Sequence, residues 1–115
     1  MGIRFTIASG ATVSDAIDIS GFQLVALEIP SNFDGTTITF QAAEVSSVGQ
    51  TGRAWGTYYA VYAADGTQYT ITTAASRRVQ ISPADLLGVK SLKLVAGTAQ
   101  ATDDTIITAV VAHVA

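Results

Sequence analysis

The sequence has no cysteine, which excludes disulfides and thiolate metal sites and leaves the fold to rest on its own core or on assembly. It has one histidine, His113 in "AVVAHVA", whereas a catalytic zinc takes at least two nitrogen or sulfur ligands. A lone histidine on a closing strand reads as a packed or edge residue. Charge is scarce: 13% of residues are charged, about half the share of an ordinary globular chain. The formal net charge of −3 lacks the basic stripe of a general nucleic-acid binder. Long apolar runs are missing too, since no stretch approaches the roughly 18 apolar residues of a membrane helix. The opening "MGIRFTIASG" has neither the basic start nor the apolar core of a signal peptide. The chain is expected to be soluble, with no membrane or nucleic-acid partner.

Catalytic motifs are also lacking. There is no G-x-S-x-G elbow, no G-x-G-x-x-G and no phosphate loop; "GQTGR" has glycines without the spacing or the lysine. The close acidic pairs are Asp15/Asp18 and Asp103/Asp104. Neither makes a glycosidase dyad by itself, because two carboxylates must face each other across a cleft. Nothing matches the D-x-[DN]-x-[DN]-G calcium loop, so Asp103-Asp104 is expected to cap a loop. No enzyme activity and no cofactor or metal is expected.

What is present is alternation. The chain has 115 residues, 49% of them hydrophobic, enough for one domain with one core. Ile3, Phe5 and Ile7 alternate with Arg4 and Thr6. Val13, Asp15, Ile17 and Ile19 share a face that would take Asp15 inward, so a bulge near Ala16 is expected. "FQLVALEI", nearly all apolar and closed by Pro30, reads as a central strand. A turn with Asp34-Gly35 at its tip leads to "TTITFQAA". Residues 44–57 have no period, and then "YYAVYAADGTQYTITTAA" gives a hairpin about Ala64-Asp65-Gly66. "RRVQI", "VKSLKL" and "TIITAVVAHVA" complete eight or nine short strands. "SPADLLG", with an N-cap serine, Pro83 and a closing glycine, allows one short helical turn near residues 83–87. The predicted fold is all-β: an antiparallel, jelly-roll-like sandwich of about eight strands in a single domain, residues 1–115.

Two groups of side chains are candidates for contact. Trp55, Tyr58, Tyr59 and Tyr62 crowd within eight residues beside Arg53, the residue types that anchor protein interfaces and stack on sugars. Four of the six basic residues, Arg77, Arg78, Lys90 and Lys93, fall in residues 76–97. Alternation turns Arg78 outward and starts Arg77 on the core side, from which it must snorkel to the rim or find an acid. In "VKSLKL" the register is ambiguous and a bulge is allowed. Charges there could guard a sheet edge or meet a partner. The candidate partner-binding residues are therefore Arg53, Trp55, Tyr58, Arg77 and Arg78.

The succession "GATVSDAIDISGFQLVALEIPSNFDGTTITFQAA … DGTQYTITTAASRRVQISPADLLGVKSLKLVAGT" resembles a family of small tailed-bacteriophage virion proteins. The resemblance runs over roughly residues 10–111 and is carried by Ser14, Asp18, Phe40, Gln41, Asp65, Gly66, Arg77, Pro83, Leu92, Lys93, Gly97 and Thr98. Arg78, where an apolar or aromatic residue belongs to the pattern, and the longer loop 44–56 depart from it. The layout is also similar to galactose-binding-like jelly rolls, a likeness of fold alone. The resemblance implies a structural role: a capsid decoration or cement protein, made in the host cytoplasm and placed on the capsid surface of the virion. It implies the major capsid protein and other copies of the chain, a trimer among the arrangements, as partners. A carbohydrate-binding module of a phage tail or spike, with Trp55 and the tyrosines stacking a glycan, is the alternative.

Overall fold

The computed structural model describes residues 2–19, 22–43, 57–81, 86, 89–101 and 103–113. Among the described residues nine strands run β1 Gly2–Ile7, β2 Ile17–Asp18, β3 Phe22–Ile29, β4 Thr37–Ala43, β5 Tyr59–Ala60, β6 Thr70–Thr72, β7 Arg77–Gln80, β8 Ser91–Ala96 and β9 Thr105–His113. One antiparallel sheet has the order β1-β9-β3-β7; the other has β2-β8-β4, with β5 and β6 both on the far edge of β4. Tyr59 and Ala60 face Ala42 and Gln41, and Thr70 to Thr72 continue the same ladder opposite Thr39 to Thr37. The two short elements are one edge strand interrupted by a protruding hairpin, residues 62–69. Counted so, eight strands pair as 1-8-3-6 and 2-7-4-5, the double Greek-key order of a jelly roll.

Alternation builds the core between the sheets. Phe5, Ile7, Leu24, Leu27 and Ile107 come from one layer; Ile38, Phe40, Leu92 and Leu94 come from the other, and all are buried. Burying each such side chain contributes about 1.5–3 kcal/mol. As "FQLVALEI" implies, β3 is interior, with β9 and β7 on its two sides. It carries the sheet's irregularity, a register shift against β9 between Leu24 and Ala26. The hairpin also forms as expected: Ala63 donates its N–H to Thr67 O and Gly66 to Ala63 O, and Gly66 takes φ +91°, which a glycine adopts without strain.

One expectation is corrected and two readings left open are resolved. Residues 13–19 do not form one bulged strand. Val13 makes an isolated bridge to Val95, Ile17 and Asp18 pair with β8, and Asp15 turns to the edge of β1, where its Oδ1 accepts the Thr6 N–H at 2.9 Å. Ser14 is buried instead, accepting the Leu94 N–H and donating to Asp15 O, so a hydroxyl occupies the core-facing place given to the carboxylate. Strand β8 has no bulge, its six residues pairing in unbroken register with β4. Leu92, Leu94 and Ala96 face the core; Ser91, Lys93 and Val95 face out. Arg77, which begins on the core side of β7 with Val79, is exposed on this edge strand, in keeping with a side chain that reaches the rim. Of the helical turn near residues 83–87, Leu86 alone lies within the described residues, and it is buried.

Candidate functional site

The four clustered basic residues do not form one patch. Strand β7 belongs to the β1-β9-β3-β7 sheet and β8 to the other, so the chain divides them between opposite faces. Arg78 stands on the outer face of the first sheet. Its Nη1 donates to Glu28 Oε2 at 3.0 Å and its Nε to Gln80 Oε1 at 3.0 Å. Both partners of the ion pair are about half exposed, so it contributes little to stability. Lys93 stands on the outer face of the second sheet, its Nζ 4.3 Å from the centre of the Tyr58 ring.

Tyr58 is the candidate with the most built environment. It precedes β5 and reaches across β4 to β8, where its hydroxyl and Ser91 Oγ share a hydrogen bond of 2.6 Å. Ser91 and Ala43 are paired in the ladder and both are buried although they point away from the core. The bond to Ser91 and the Lys93 contact hold the ring against this outer face. Tyr58→Phe is expected to keep the stacking under Lys93 and lose the hydroxyl bond, destabilising by about 1–2 kcal/mol because Ser91 is left unpaired. Urea unfolding of the two proteins measures the difference.

The neighbouring tyrosines are more open. Tyr59 is 71% exposed and Tyr62 is 59% exposed, Tyr62 at the base of the hairpin opposite Gln68. At the hairpin's tip the Thr67 hydroxyl and then its N–H donate to Asp65 Oδ1, holding that carboxyl below its ordinary 3.8. A depressed carboxylate stabilises the turn at pH above its unfolded pKa, and this contribution disappears as pH falls through the lowered value. Carbon-detected NMR titration should show the Asp65 midpoint rising toward 3.8 in Thr67→Val.

Arg53 and Trp55 lie outside the described residues. Among the described residues no three His, Cys, Asp or Glu side chains gather as metal ligands. Asp104 does what was expected of it: its Oδ1 accepts the Ser9 N–H at 3.0 Å and its carbonyl accepts from Asn32 Nδ2 at 3.2 Å.

Sequence reasoning missed Gln100. Its side chain is wholly buried at one end of the sandwich. Oε1 accepts from the Asp34 N–H and the Thr105 hydroxyl; Nε2 donates to Asp34 O and Thr98 O, all at 2.9–3.0 Å. Its carbonyl accepts the Gly10 N–H, so three loops meet on one residue. In "TAQATDD" a glutamine reads as loop, and no local pattern marks it.

The outer face of the β1-β9-β3-β7 sheet was missed as well. Strand β9 is apolar on both sides: Ile107, Ala109 and Val111 are buried in the core, while Ile106 is 44% exposed and Val110 half-buried on the outside. The near-continuous run "TIITAVVA" was the available signal, since a strand with one wet face should alternate. No protein-family model and no curated protein matches the chain. Fold and surface together define an antiparallel two-sheet β-sandwich of jelly-roll-like order whose chemical features are outward aromatic, aliphatic and arginine side chains.

Proposed function

We propose that the chain is a structural protein of a tailed-bacteriophage particle, a decoration or cement protein that binds the head surface and neighbouring copies. The observation that carries this is the aliphatic outer face of β9 on a body with only 13% charged residues. A surface so apolar is suited to burial against another subunit. The sequence resemblance points the same way, and jelly rolls recur in capsid domains, a likeness of fold that supports but does not carry a function. Arg78 and Tyr58, on opposite faces, supply polar anchors for two different neighbours, which suits a subunit wedged within a surface lattice.

The test is mechanical. Heads assembled from the major capsid protein of the phage that carries this chain should withstand a higher temperature before bursting once the chain is added. No shift in bursting temperature at saturating chain removes the cement role.

The exposed rings of Tyr59 and Tyr62 favour a second reading, a carbohydrate-binding module of a tail or spike. A glycan array lit by the parent chain and dark for Tyr59→Ala would replace the first reading with this one.

A further inference from the structure

One row of side chains crosses the outer face of the β1-β9-β3-β7 sheet. The registers align Arg4 with Thr108, Thr108 with Glu28, and Glu28 with Arg78. Arg4 and Glu28 thus stand one strand to either side of β9, each about 4.8 Å from it. Arg4 is exposed and has no ion-pair partner among the described residues. Glu28 holds Arg78 through Oε2, and a carboxylate can accept a second guanidinium through its other oxygen.

This pattern is complementary to itself, and we infer that the face pairs with the same face of a second copy, about a twofold axis lying along β9. A half-turn about that axis exchanges left and right across the row and preserves position along the strand. Arg4 then lies over the partner's Glu28, and Glu28 over the partner's Arg4, two ion pairs from one operation. The outward residues of β9, Ile106, Thr108 and Val110, meet their own copies on the axis and bury the aliphatic stripe. An in-plane axis across the strands would instead set Arg4 against the partner's Arg4, so charge selects the orientation. Two sheets stacked this way keep their strands roughly aligned, as face-to-face sheets do. Arg78 overhangs the partner's β1 edge and shares the Glu28 carboxylate with the partner's Arg4.

The contact is small. Three overlapping strands about 4.8 Å apart, over some seven residues, give roughly 300 Å² per copy, well under the ~800 Å² of a stable interface. The pair is therefore weak and transient and fills where copies are concentrated. The pairing stands whether or not the chain decorates a head, because it is tested on the purified chain alone.

Sedimentation equilibrium up to millimolar concentration should show a monomer–dimer exchange. Arg4→Glu or Glu28→Arg should each weaken it about tenfold or more, and the double variant Arg4→Glu/Glu28→Arg, in which the charges are exchanged, should recover it. Ile106→Lys, at a half-exposed position that the fold tolerates, should abolish it. Thermal melts confirm that each variant is folded. A parent that stays monomeric overturns the inference, as does a dimer indifferent to the single charge reversals or a double variant that fails to recover. A monomeric parent whose binding to heads is lost in Ile106→Lys would assign the face to a foreign subunit and overturn it equally.

Discussion

Phe40→Ala is expected to lose about 4 kcal/mol of stability. Phe40 is fully buried on β4, the strand that joins β8 to the interrupted edge strand. Its ring stacks on Tyr69 with centroids 5.5 Å apart and planes at 24°. Truncation removes the transfer energy of the ring, leaves a cavity between two rigid sheets, and ends the stack on Tyr69. Phenylalanine-to-alanine changes in cores cost about 3–5 kcal/mol, and a stacked pair adds about 0.5–1.5 kcal/mol to the ring's own burial. Against a total of about 5–15 kcal/mol, such a loss leaves a marginal protein. The urea midpoint should fall by roughly 2 M with its slope unchanged. Phe40→Leu, which keeps most of the volume, should lose less than half as much. A loss under 1 kcal/mol for the alanine variant would mean that Phe40 does not join the layers.

Gln100→Ala should cost about 3 kcal/mol, although a surface-like loop residue would ordinarily cost almost nothing. Four hydrogen bonds to the buried amide disappear together, leaving the Asp34 N–H and O, the Thr98 O and the Thr105 hydroxyl to find water or go without. Each deprived group costs about 1–3 kcal/mol, and entering water recovers part of the sum. The melting temperature should drop by roughly 10 °C. Gln100→Glu is the sharper variant: its carboxylate still accepts from Asp34 and Thr105 but cannot donate to the two carbonyls, and it should fall as far. Either protein melting with the parent would dissolve the idea that one side chain ties the loops together.

The contrast between these two residues shows what the sequence could express. Phe40 lies in "TITFQAA", where period-two alternation names its face directly, and the same rule located Phe5 and Ile7. Alternation failed where pairing is interrupted. Between Val13 and Ile19 the chain passes from the edge of one sheet to the other, so one period cannot describe both contacts. For Arg77 alternation assigns a side, and the need to hydrate its charge carries it to the rim. Gln100 was illegible because its worth comes from loops distant in sequence. The division of the basic residues between two faces was hidden for the same reason: adjacent strands in the chain can belong to opposite sheets. Tyr58 was flagged for its residue type, and its partners Ser91 and Lys93 emerge only when β5 and β8 flank β4.

The proposed contact role rests on binding to a particle, so the most direct measurement is the mass of individual heads before and after incubation with the purified chain. A mass gain that saturates at a fixed number of copies per head is predicted. Heads whose mass does not change at millimolar chain would contradict it.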